Sequence, residues 1–189
     1  MEKETLQNSN YKVVCTKHNI ILQKDIHKQY VFVISFCTKP AKGMFTQLKS
    51  HNLYYLLGKL NPDIITNIDI INGNTSKQNT LLTFKRFGKE FGLSQKFLYL
   101  KNEFNYIDES LISTKASSIH CSNPPDKCTM INAKYADFLI KKIKEHIVIE
   151  FKFNLDLQED LPNYMKNLPG LLMKKIFIRV KNYIETGHE

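Results

Sequence analysis

From Ile147 to Leu157 the chain alternates. Ile147, Ile149, Phe151, Phe153, Leu155 and Leu157 hold every second position, and Glu150, Lys152, Asn154 and Asp156 stand between them. Successive side chains of a β-strand point to opposite faces, so this pattern predicts a strand with one face in a core and the other in water. Such a strand needs neighbours to take up its backbone hydrogen bonds and a second layer to cover its apolar face. The chain must therefore build a sheet with something packed upon one side of it.

Other segments predict the remaining parts. Residues 11–22 and 29–37 are β-branched and aromatic, are separated by the polar stretch around Lys24 and Asp25, and predict a hairpin. Pro40 and Gly43 mark a break. From 42 to 60, Phe45, Leu48, Leu53, Leu56, Leu57 and Leu60 fall at helical spacing, and Asn61-Pro62 ends that helix. Ile64 to Ile71 predicts a short strand before the polar turn Asn72-Gly73-Asn74. Residues 132–146 predict a helix on Tyr135, Phe138, Leu139 and Ile143. Leu168, Leu172, Ile176, Val180 and Ile184 recur every fourth residue and predict an amphipathic C-terminal helix, with Asp160 as a cap and Pro169 dividing a short piece from a longer helix near 170. The expected fold is α+β: a mostly antiparallel sheet of four or five strands with helices packed on one face. Residues 1–10 read as a disordered leader and 11–189 as one domain. Two subdomains are the alternative parse, a basic part, 11–107, and a charge-neutral part, 132–189, joined by a loop at 108–131 rich in Ser, Thr and Pro.

Charge gives the functional expectation. The net charge is +9, and residues 26–101 carry eleven of the 27 basic residues against three of the 18 acidic ones. A positive segment attracts polyanions. Only Arg86 and Arg179 are arginines, which points away from bidentate reading of base edges and toward phosphate contact by lysine. No run of about 18 apolar residues suggests a membrane span, and the polar start MEKETLQNSN lacks the apolar stretch of a signal peptide, so an intracellular protein without a membrane partner is expected.

The segment TFKRFGKEFGLSQKFLYLK, residues 83–101, resembles a helix-turn-helix. Gly88 stands at the small position, Gly92 at the turn, Leu93 and Leu98 at the later apolar positions, and Phe87 and Phe91 toward the core. That resemblance implies Ser94, Gln95, Lys96 and Tyr99 facing a groove, with Lys85, Arg86, Lys89 and Lys101 near phosphates. In a second arrangement, exposed aromatics here stack on single-stranded bases. The string LPGLLMKKIFIRV, residues 168–180, resembles the opening of an F-box and implies an adaptor-binding helix.

Metal-like spacings are limited to Cys15 with His18, and to His120 and Cys121 with Cys128, too few for an expected zinc centre. Asp63 with Asp69, and Asp156 with Glu159 and Asp160, are the acidic groups near strand ends, where nucleases hold Mg²⁺. No phosphate-binding loop, nucleophile elbow or HExxH occurs. The combined expectation is a non-enzymatic nucleic-acid-binding protein of viral accessory or regulatory type, with DNA and RNA both open and no cofactor. The alternative is a scaffold or adaptor subunit that uses 132–189 for a protein partner.

Overall fold

The computed structural model describes residues 10–49, 53–73, 76–87, 89, 92–108 and 110–188. Nearly all of the expected leader lies outside them. The strands are β1 (Tyr11–Lys17), β2 (Ile20–Asp25), β3 (Val31–Thr38), β4 (Ile65–Gly73), β5 (Lys77–Phe84), β6 (Gln95–Asp108), β7 (Leu111–Ser118), β8 (Cys128–Met130), β9 (Asn132–Ile143) and β10 (His146–Asp156). The helices are α1 (Met44–Lys49), α2 (Leu53–Leu60) and α3 (Leu168–Thr186). Among the described residues the strands form one sheet of ten, ordered β1-β2-β3-β10-β9-β7-β6-β5-β4, with β8 added parallel to β6. The other pairings are antiparallel.

The expected sheet of four or five strands is therefore corrected to ten. Two misread segments explain much of the difference. Residues 132–143 are β9, not a helix: Ala136, Phe138 and Ile140 are buried at a period of two, while Tyr135, Phe138, Leu139 and Ile143 happen also to fit a helical spacing. Residues 83–101 are the end of β5, a loop and the start of β6. Gly88 and Phe91 lie outside the described residues. The span 108–131 contains β7 and β8, and Asn74 of the expected polar turn is not among the described positions.

β10 sits inside the sheet between β3 and β9, and Phe151 of its alternating apolar set meets α3. Phe177 of α3 stacks on Phe138 of β9 at 5.6 Å between ring centroids and lies 5.2 Å from Phe151 of β10. Phe36 of β3 closes the group at 6.4 Å. These rings, with the fully buried Ile176, Val180 and Ile184, join one apolar core that runs from Ile20 and Leu22 in β2 to Leu82 in β5. A buried phenylalanine of this kind contributes about 3–5 kcal/mol relative to alanine.

The first turn of α3 approaches β3 very closely. A Cβ on Gly170 would lie 2.6 Å from Cδ1 of Phe32, whose ring is itself fully buried. Pro169 sits within the first helical turn, where its missing N–H costs nothing, and so does not divide the helix. The helix ends on Gly187 at φ 72°, whose N–H donates to the Tyr183 carbonyl at 2.8 Å. Both edges of the sheet are irregular. The β1–β2 register shifts between Val13 and Cys15, and the β4–β5 register shifts near Asn67 and near Gly73.

Alanine is the better helix former by about 1 kcal/mol, yet Gly170→Ala will destabilise the fold, by about 1–3 kcal/mol, because the buried Phe32 ring has nowhere to go. Urea unfolding will show a lower midpoint at unchanged slope.

Candidate functional site

Between the sheet and α3 the core is not filled. One apolar chamber of about 60 Å³ lies under the first turns of α3, walled by Phe87 and Leu93 of the β5–β6 loop, Ile131, Leu157, Leu168 and Leu172. A second, of about 50 Å³, lies deeper, against Tyr54 and Leu57 of α2, Leu98, Leu100 and Phe138. Phe84, Leu155, Met173 and Ile176 belong to both walls, so four side chains partition one longer apolar space. Chambers lined this way stay dry and suit an apolar guest.

A polar cluster stands on the wall of the first chamber. Lys96 is the second residue of β6 and alternates inward with Leu98 and Leu100, so a cation is carried to the core face. Its Nζ lies 2.7 Å from Glu159 Oε1 and donates to Ser94 Oγ at 2.9 Å, Thr129 Oγ1 at 2.7 Å and the Leu157 carbonyl at 2.9 Å. Glu159 Oε1 also accepts from the Ser94 N–H and hydroxyl. The cluster thus latches the start of β6, β8 and the segment leading into α3. Burial pushes the Glu159 carboxyl up, but the bonds from Lys96 and Ser94 outweigh it and hold the pKa below the usual glutamate range. Glu159 Oε2 is buried with no hydrogen-bond partner among the described residues.

Deeper in, Asn102 accepts from the Tyr54 hydroxyl at 2.6 Å and donates to Thr80 Oγ1 at 3.0 Å and the Gln78 carbonyl at 3.2 Å. Burial pushes the Tyr54 hydroxyl well above its ordinary pKa, so it remains a neutral donor.

The polar ties of α3 concentrate after its second turn. Lys174, itself buried, donates to Cys15 Sγ at 3.0 Å. Lys175 and Arg179 both grip Asp63, and these cations hold that carboxyl well below the usual range. Thr38 and Lys181 bind Glu185, and the Ala41 N–H donates to the Ile184 carbonyl at 2.8 Å. The stretch before Lys174, which roofs the first chamber, is held mainly by apolar contact.

The sequence-expected binding residues do not share a surface. Lys96 is buried and faces inward. Tyr99 and Lys101 lie on the opposite face of β6, where Lys101 is 3.6 Å from Glu103. Gln95 donates to the Phe84 carbonyl at 2.9 Å, and Ser94 belongs to the latch. Lys85, Arg86 and Lys89 are exposed on the loop, where Arg86 Nε donates to the Leu93 carbonyl at 2.9 Å. Phe84 and Phe97 are core residues and are not free to stack on bases. Among the described residues no three His, Cys, Asp or Glu side chains converge on a metal position, Cys15, His18, His120, Cys121 and Cys128 included. Asp69 accepts from Asn67, and Asp156 caps a turn at Gln158. No described helix is long and apolar enough to cross a membrane. The chambers escape sequence reading because their walls come from strands, a loop and two helices far apart in the chain. The inward Lys96 is readable only when 95–108 is taken as a strand.

No protein-family model and no curated protein sequence matches the chain. Solved structures do match its fold. The human StAR-related lipid transfer protein 5 superposes with a TM-score of 0.79 at 11% identity, over 97% of this chain and 90% of that one. The human StarD13 (DLC2) lipid transfer and protein localization domain gives 0.74 at 9% identity, over 93% and 89%. A STAR-related lipid transfer protein fragment from Xanthomonas axonopodis gives 0.72 at 9% identity, over 93% and 98%. The fold is thus the helix-grip fold of these lipid-transfer domains. That finding corrects the nucleic-acid, helix-turn-helix and viral accessory expectations. It also corrects the scaffold alternative: the apolar stripe of α3, including the segment that resembles an F-box opening, is spent on the chain's own sheet.

Lys96→Met will destabilise the protein by about 2 kcal/mol, on the low side for a broken buried pair because Glu159 keeps some solvent contact. A carboxyl whose folded pKa is depressed adds stability above its unfolded pKa and loses it as pH falls through the folded value. The stability gap between wild type and Glu159→Gln, read from urea midpoints, will therefore be full at pH 6 and shrink below about pH 4.

Proposed function

We propose that this chain binds a neutral lipid in the apolar space between α3 and the sheet. The observation that carries the reading is the pair of apolar chambers parted only by side chains. The likeness to proteins whose names describe lipid transfer supports it over nearly the whole chain.

A site for a lipid-sized ligand needs several hundred Å³, far more than the two chambers offer even together. Binding therefore requires the partition to give way. Met173 is the side chain most able to do so: it is unbranched and touches both chambers. The β5–β6 loop, with Gly92 at φ 76° in open space, is the wall that can part. The Asp63 and Glu185 ties keep α3 seated meanwhile. Entry between the loop and the first turns of α3 needs no strand to move.

The latch bears on the class of guest. Lys96 Nζ has three protons and already faces four oxygens, one of them a carboxylate. No spare positive charge is left on the chamber wall to attract a carboxylate or phosphate, so the site favours an uncharged lipid.

Titrating the protein into a fluorescent sterol and a fluorescent fatty acid tests this. The sterol will bind saturably at one per chain and the fatty acid at least tenfold more weakly. Met173→Trp, which fills the junction of the chambers, will lower sterol affinity at least tenfold while the melting temperature stays within a few degrees. Absence of saturable binding by any neutral apolar probe would sink the reading.

A further inference from the structure

A second concavity lies at the other end of the sheet, built by the β9–β10 turn and the segment between β3 and α1. It measures about 650 Å³ and is lined by Lys39, Lys42, Lys142 and Lys144, by Glu145, and by an apolar floor that includes Pro40 and Phe45. The four lysines come from stretches a hundred residues apart in the sequence and line one hollow only through the pairing of β3 with β10, in which Thr38 faces Ile147. One of the four is neutralised: Lys39 lies 3.1 Å from Glu145. Lys142 stands 5.8 Å from the centre of the Phe45 ring. Lys42 and Lys144 have neither an ion pair nor a hydrogen bond among the described residues, and both sit at turns. Lys144 occupies φ 54°, a conformation that glycine or asparagine adopts more cheaply, so the turn carries a cation at a position whose backbone does not favour lysine.

Mutual repulsion would spread four mobile lysines apart on an ordinary surface. Here the backbone holds them around one hollow, with a surplus of three positive charges and a floor that excludes water from one side. Lysine is a point charge suited to phosphate oxygens, and several around a concavity suit a ligand with more than one phosphate. We propose that this hollow binds a multiply phosphorylated small group, such as a phosphorylated inositol ring, either free or as the headgroup of a membrane lipid. Ile143, half exposed between Lys142 and Lys144 in the chain, offers an apolar foot that only the membrane-borne form would use. β10 runs from this hollow at His146 toward the Lys96 latch beyond Asp156, about 33 Å at the usual rise of a strand. The two sites are thus at opposite ends, and this inference does not rest on the lipid reading of the chambers.

The test measures binding of soluble inositol trisphosphate by calorimetry, and of neutral phosphatidylcholine vesicles carrying either phosphatidylinositol bisphosphate or phosphatidylserine by co-sedimentation. Wild type and Lys42→Glu/Lys142→Glu/Lys144→Glu are compared, with Lys115→Glu/Lys134→Glu, far from the hollow, as the control. Binding of the soluble ligand, or of the bisphosphate vesicles well above serine vesicles of equal charge, supports the site. Each lysine near a phosphate or anionic surface contributes about fivefold, so the triple variant will bind at least a hundredfold more weakly and the control variant within about twofold of wild type. Should only the vesicles bind, and Ile143→Ser weaken them, the membrane-borne source is the one used. The proposal is overturned if neither ligand binds, if serine and bisphosphate vesicles bind alike, or if the triple variant binds as wild type does. Far-UV circular dichroism and a melting curve confirm that both variants are folded; since all five lysines are exposed, no change in either is expected.

Discussion

The contact of Phe177 with the adjoining rings of Phe138 and Phe151 sets the arrangement of most of this molecule. A sheet this wide has an apolar face that cannot be left in water, and α3 is the longest element available to cover it. The aromatic contact seats the helix over the centre of the sheet, on the two strands that are hydrogen-bonded to each other for most of their length. With its C-terminal half seated there and its first turn pressed on Phe32, α3 spans the concave space as a beam. The hollows beneath it are the parts of that space that neither the beam nor α2 fills.

The charges obey the same frame. Asp63 and Glu185 act as anchors for the beam, and the cations they bind, Lys175, Arg179 and Lys181, lie outside the basic segment 26–101 whose bare count points to a polyanion partner. Lys96 shows how far a charge count can mislead: its sign is visible in the sequence, but alternation in β6 turns it into the core, where a carboxylate and three further oxygens consume it. The positive hollow at the opposite end draws Lys39 and Lys42 from the basic part of the chain and Lys142 and Lys144 from residues 102–189, whose net charge is zero. Summed charge along the sequence cannot locate it, because strand pairing assembles it.

What is legible in the sequence is local. The alternation from Ile147 to Leu157 marks β10, the four-residue recurrence from Leu168 to Ile184 marks α3, and the short strand beginning near Ile64 is β4. Position 132 onward misleads because Tyr135, Phe138, Leu139 and Ile143 satisfy a helical spacing while the buried set is Ala136, Phe138 and Ile140; alanine is too small to weigh in a hydrophobic pattern, although it is buried as fully as its neighbours. The segment at 83–101 misleads for a different reason. Its glycines and phenylalanines stand at intervals that suit the turn and core of two helices, whereas its Leu98 and Leu100 are inward residues of a strand, paired with Leu82 and Thr80 of the strand before. The chambers are not legible at all, since a void is defined by what several distant elements leave unfilled.

The irregular outer strands guard the molecule against its own architecture. An open sheet ends in rows of unused donors and acceptors, and a flat edge would let two copies join into a continuous ribbon. Here β1 is bent by its shift between Val13 and Cys15 and carries Lys12 and Lys17, while β4 breaks register twice and presents Asn67 and Asp69. A neighbouring strand arriving at either border would find its ladder out of step after a few residues and a charge in the way. The growth of the sheet is thereby opposed at both margins of a protein in which nearly half of the residues are in strands.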